Sequence, residues 1–174
     1  MANTNAGKPV RVAVFNHIDK AEQAVEALLL EGFKKDQISV ICSDPAKEEH
    51  FKGFEADQAG ESTTRTTAVG GVIGAALGGL ATVAALATTG GVAVVAAGHF
   101  VASLAMGGIA GGFLGAMVSR GLDKEAAEFY EQSVEKGKIV VVAEDDSDEG
   151  PRKLRAAEKR FEEAGAEPVS LHAH

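Results

Sequence analysis

The first hydrophobic run along the chain, Val10-Arg11-Val12-Ala13-Val14-Phe15, is apolar but for Arg11 and reads as a β-strand. Asp19, with Glu22 three residues on, resembles a capping box at a helix start. Ala21, Ala24, Val25, Leu28 and Leu29 then recur at helical spacing, and Gly32 is placed to stop that helix. Ile38-Ser39-Val40-Ile41-Cys42 is a second strand, so residues 10–43 form a βαβ unit. Residues 44–65 break the pattern: they are polar and of mixed charge, carry Pro45, Gly53 and Gly60, and read as a linker with Phe51 and Phe54 docking locally.

The next stretch has a different character. From Thr66 to Ser119, 54 residues contain no Asp, Glu, Lys or Arg. Thr88-Thr89-Gly90-Gly91 is a natural turn near the middle and divides the run into two expected helices, about Thr67–Ala87 and Val92–Ser119. A membrane span needs about 20 apolar residues, and either half is long enough.

After Arg120 the soluble pattern returns. Asp123–Lys136 is an amphipathic helix with Leu122, Ala126, Phe129, Tyr130 and Val134 on its inner face, ended by Gly137. Ile139-Val140-Val141-Val142-Ala143 is apolar without alternation, which predicts a central strand buried on both faces. An acidic loop, Glu144–Glu149, leads to a helix with Pro151 in its first turn and Leu154, Ala157, Phe161 and Ala164 inside; Gly165 terminates it. Pro168–Leu171 is a short edge strand. Two βαβ halves, 10–43 and 120–171, predict an α+β ferredoxin-like sandwich with helices on one face of an antiparallel sheet, interrupted by the helical hairpin of 66–119. The first strand and Ile139–Ala143 are then central. The alternative is a small, parallel, doubly wound α/β sheet.

Within the charge-free run, Gly70, Gly74 and Gly78 are four apart, as are Gly107, Gly111 and Gly115, and Gly108 with Gly112. Residues four apart share a helix face, so each stripe is a groove without side chains into which another helix can pack. Glycine inside a helix costs about 1 kcal/mol relative to alanine, and close packing must offset it. Membrane insertion and a protein-only assembly both answer that requirement. A hairpin folded back on its own domain is disfavoured, because so many apolar residues exceed what one face of a small sheet covers. His99, the readily ionisable group of the run, is a candidate polar site, or a neutral histidine bonded near a helix end.

Composition narrows the chemistry. A net charge of −8 without a basic patch argues against nucleic acid as a partner. The lone Cys42 excludes an intramolecular disulfide and reads as a buried strand thiol. Met1–Pro9 lacks the pattern of a signal peptide, which leaves the cytoplasmic side as the expected location. With no Trp, one Tyr and 21 Gly, large pockets are poorly furnished. No phosphate loop, nucleophile elbow or zinc-binding Cys pair occurs. Gly70-Gly71-Val72-Ile73-Gly74 lacks the preceding strand and acidic partner of a dinucleotide loop. The spacing within Glu144–Glu149 is not that of a calcium loop; a solvated loop favouring the next helix N-terminus is the simpler reading. His172 and His174 lie on a fraying terminus. No catalytic residue, metal site or cofactor is expected.

Several segments together resemble a bacterial general-stress (heat-induced stress) protein domain family. These are Val12–Phe15, Ala21–Val25 with Leu28 and Gly32-Phe33, Ile38–Ile41, the glycine-rich middle, and Gly137–Val142. The resemblance spans most of residues 10–143 and rests on the order of parts. It implies a stress-associated, non-catalytic protein with a ferredoxin-like core. The leading expectation is a structural protein, self-associating and lipid-bound on the cytoplasmic side of the inner membrane through its hairpin. A soluble cytoplasmic homo-oligomer with bundled hairpins is the alternative. A ligand-sensing ferredoxin-like module, its small molecule unknown, is the third, and it rests on fold analogy.

Overall fold

The structure, a computed structural model, describes residues 9–43, 92–96 and 112–168. Its elements in chain order are β1 (Val10–Phe15), α1 (Ile18–Leu30), a 3-10 turn (Lys35–Gln37), β2 (Ile38–Ser43), β3 (Val92–Ala96), α2 (Gly112–Ser119), α3 (Lys124–Glu135), β4 (Ile139–Glu144) and α4 (Gly150–Glu163). The strands form one sheet in the order β1-β4-β2-β3. Every neighbouring pair is antiparallel: Val10 faces Glu144 and Phe15 faces Ile139, Ile38 faces Ala143, and Ser43 faces Val92. The architecture is therefore α+β, and the doubly wound parallel alternative is corrected by the strand directions.

All six residues of β4 are buried, as the unbroken apolar run predicts, and so are all six of β2. Successive side chains of a strand point to opposite faces, so two such strands need cover on both sides. They have it. α1 and α4 pack on one face over Phe15, Ile38, Val40, Val141 and Ala143, with Leu28, Leu154 and Phe161 brought down from the helices. α2 and α3 pack on the other over Val10, Val14, Ile41, Val140 and Val142, with Met117, Ala126, Tyr130 and Val134. The expected single helical layer is thus corrected to two. Cys42 is fully buried and free, as a strand thiol should be.

The expected second hairpin helix, Val92–Ser119, is also corrected. Val92–Ala96 is a strand on the outer side of β2, and the run's last eight residues, Gly112–Ser119, form a helix on the sheet. β-branched Val92, Val94 and Val95 suit an extended backbone better than a helical one. These two pieces of the charge-free run pack on the α+β domain; the rest of the expected hairpin lies outside the described residues.

Helix ends follow one device. Gly32 takes φ +87°, and Gly32 N–H and Phe33 N–H donate to the carbonyls of Leu29 and Leu28, closing α1 in a Schellman motif. The same pair of bonds ends α2, α3 and α4. The start of α1 differs from expectation: His17 is the N-cap, without a side-chain capping bond, and Asp19 lies within the first turn. There its charge still favours the helix N-terminus.

Candidate functional site

Among the described residues a groove of about 790 Å³ runs along the outer edge of β1, the edge away from β4. Residues 9–13 form its floor; α4 and the segment after it wall one side, and α3 with the turn before it walls the other. Its polar groups are fixed by the elements that carry them. Tyr130, on the buried face of α3, donates its hydroxyl to the Val12 carbonyl at 3.2 Å. Burial first, then the charge of Asp123, pushes this phenol up to about 12; Glu158 adds to the rise and Arg11 opposes it. The hydroxyl therefore acts as a hydrogen-bond donor rather than as a base or nucleophile near neutral pH.

Arg120, just past α2, donates from Nη1 to Glu144 Oε2 at 2.8 Å; Glu144 is buried and Arg120 partly so. Arg11 donates to the Val10 carbonyl at 3.0 Å and lies 3.4 Å from Glu158 on the exposed rim. At the far end Glu167 is held three ways. Lys138 Nζ lies 2.6 Å from its carboxylate, Asn16 donates to it at 2.7 Å, and its own N–H donates to the Val14 carbonyl at 2.9 Å. The lysine and asparagine bonds keep this carboxyl below the usual range, outweighing its partial burial. The groove's arginines and tyrosine thus hold the domain together, and no pair of them is set as nucleophile and base.

A second polar centre lies on the other face, where β4 meets α4. Asp145 is buried, accepts the Ser147 N–H at 2.8 Å and lies 3.3 Å from Lys153 Nζ. Burial disfavours its charge, yet hydrogen bonds from Ser147, Lys153 and Gln37 outweigh that and hold it at about 2. Lys153 also donates to the Gly32 carbonyl at 3.2 Å and sits 5.8 Å from the Phe33 ring centre, joining α4 to the end of α1. The solvated-loop reading of Glu144–Glu149 is right for residues 146–149 and corrected for Glu144 and Asp145, which are buried and ion-paired. Among the described residues no three His, Cys, Asp or Glu side chains gather as a metal site.

Of the residues singled out from sequence, Gly70, Gly74, Gly78, His99, Gly107, Gly108 and Gly111 lie outside the described residues, as do the linker 44–65 and Val169–Leu171 of the expected last strand. Gly112 opens α2 and Gly115 lies within it, half-buried. Each belongs to a different stripe, so α2 carries only the last glycine of each. No described helix is long and apolar enough to cross a membrane. Sequence reasoning missed Arg120–Glu144, Lys153 and Glu167, because each pairs with residues distant in sequence. A basic residue beside an acidic one reads as surface until the fold buries it.

These features define a small α+β domain in which a two-faced antiparallel sheet carries a glycine-rich excursion between its strands. The chain belongs to the heat induced stress protein YflT domain family, whose model matches residues 10–107. No curated protein and no solved structure matches it. The match takes in β1, α1, β2, β3 and most of the charge-free run, and stops short of α3, β4 and α4. The resemblance read at Gly137–Val142 therefore lies beyond it.

Proposed function

We propose that this is a non-catalytic, stress-associated structural protein that self-associates in the cytoplasm through its glycine-rich segment. The core of the proposal is ferredoxin-like: the order β1-β4-β2, with α1 and α4 on one face, supports that reading, and β3 and the α2–α3 layer are additions to it.

One observation carries the choice of assembly over membrane: β2 and β3 are hydrogen-bonded neighbours in one sheet. Any excursion between them that crosses a bilayer must cross back. The chain between them is 48 residues, of which only the 26 from Thr66 to Gly91 are free of charge. Two crossings need about 40 apolar residues. Between β3 and α2 lie 15 residues, about 22 Å as helix, short of one crossing of about 30 Å. Self-packing of the glycine stripes meets no such conflict. Stripes buried between chains would also remove an apolar surface that is unsafe in water.

Light scattering and sedimentation of the full chain without detergent test this. A monodisperse multimer is expected. A stable monomer, or a chain that stays in solution only with detergent or lipid, would overturn it.

A further inference from the structure

We propose that α3 of one copy docks on α4 of the next, joining copies head to tail through matched stripes of charge. This contact rests on the self-association proposed above and adds a second surface to it. Glu128, Glu131 and Glu135 stand at steps of three and four residues on α3. Arg152, Arg155 and Lys159 stand at the same steps on α4. Residues so spaced share one helix face. Both stripes are turned away from the core, which α3 meets through Ala126, Tyr130 and Val134 and α4 through Leu154, Ala157 and Phe161. Glu135 and all three cations are exposed; Glu128 and Glu131 are half-exposed.

These charges are not settled within one molecule. Among the described residues Glu131, Glu135 and Arg155 have no ion pair. The other three make surface pairs: Lys124 with Glu128 at 3.4 Å, Arg152 with Glu149 at 3.6 Å and Lys159 with Glu163 at 3.7 Å. Exposed pairs of this kind hold weakly and are readily exchanged. Glu158, beside Arg155 in the sequence of α4, is engaged by Arg11. Partial burial, and then the charges of Glu135 and Glu128, raise the Glu131 carboxyl above its ordinary value. The acidic stripe thus carries a repulsion that an arriving cation relieves.

One copy cannot bring its own stripes together, because α3 covers one face of the sheet and α4 the other. Each stripe finds its complement on the same kind of chain, which makes a second copy the partner. With the two helices running in the same direction, Glu128 meets Arg152, Glu131 meets Arg155 and Glu135 meets Lys159. The steps of three and then four coincide in that direction alone. A contact between two different patches either closes into a ring or runs on as a filament. A ring agrees with the monodisperse multimer expected above.

The test is zero-length carbodiimide cross-linking of the full chain, which joins a carboxylate to an amine in direct contact. The sheet separates Glu135 from Lys159 within one molecule, so an amide between them reports two copies. That link is expected at low salt and should fade in 1 M salt, where the screening length is about 3 Å. Glu131→Arg and Arg155→Glu each set like charges opposite one another. Each should lower the yield of the link about tenfold, and the two together should restore it. Single reversals that leave the yield unchanged, or a double reversal that does not restore it, would overturn the proposal. A chain that sediments as a multimer without the Glu135–Lys159 link loses this contact and keeps the glycine-mediated one. A parent chain that sediments as a monomer loses both.

Discussion

Asp145 shows how one buried carboxylate organises a helix start. Its carboxyl takes the Ser147 N–H, its charge faces Lys153, and its backbone oxygen sits against Gly150. A group held at about 2 when folded, against an ordinary 3.8, contributes stability that is complete above its ordinary value and lost as pH falls through 2. Asp145→Asn is expected to cost about 1–3 kcal/mol near neutral pH, with the penalty shrinking towards pH 2. Melting temperatures of both proteins between pH 7 and pH 2 measure this, and a pH-independent gap would rule out the charge as its source. At Gly150 a Cβ would lie 2.6 Å from the Asp145 backbone oxygen. Alanine there should destabilise by about 1–3 kcal/mol, since overpacking against backbone exceeds the gain in helix propensity of about 1 kcal/mol. A urea midpoint at or above that of the parent would contradict it. Neither role is legible in Glu144–Glu149 as a string of acids. Pro151 and the inner face Leu154, Ala157 and Phe161 are legible, because they depend on local geometry and periodicity alone.

Between elements, the joint that matters most is α2 to β4. Arg120 reaches Glu144 from the end of a helix composed only of apolar and small residues and one serine, and Met117 is fully buried beside it. Removing one partner of a buried ion pair commonly costs about 3–5 kcal/mol. Glu144 makes contacts beyond this pair, so Arg120→Ala is expected at the lower end of that range. Equilibrium unfolding would show it, and a loss below about 1 kcal/mol, the worth of a surface pair, would mean Arg120 is dispensable. The strands and amphipathic helices were readable because burial imposes periods of 2 and 3.6 on them. β3 was not. Its five residues, Val92–Ala96, are uniformly apolar, and a short apolar run does not by its period distinguish strand from helix. What decides is the vacant edge of β2, which no local pattern announces. The second helical layer was missed for a related reason: α3 was correctly outlined, but only the sheet order shows that its face is opposite to that of α1.

For the molecule as a whole, the glycine stripes and the sheet make separable demands. If the proposed zipper holds, Gly74→Leu should disrupt assembly and leave the domain folded, because in sequence Gly74 lies between β2 and β3, outside both strands. Gly111→Leu should disrupt assembly too. It also borders Gly112, the first residue of α2, so some loss of domain stability is expected with it. Glu26→Leu, on the exposed side of α1, is the control. Sedimentation profiles that match the parent for both glycine variants would end the zipper reading. The span matched by the family, residues 10–107, should not fold by itself. It lacks β4, which separates β1 from β2, and α4, which covers them. A cooperative melting transition in that fragment would refute this.

The late position of β4 also sets a timetable. Translation proceeds from residue 1, at about 5–20 residues per second. β1 and β2 are made early, but the strand that joins them ends at residue 144. For some seconds a nascent chain therefore carries two sticky half-edges and the whole glycine-rich run with nothing to close over them. That interval is when neighbouring nascent chains can meet. The proposed self-association should accordingly depend on how densely the message is being translated as well as on how much finished chain is present.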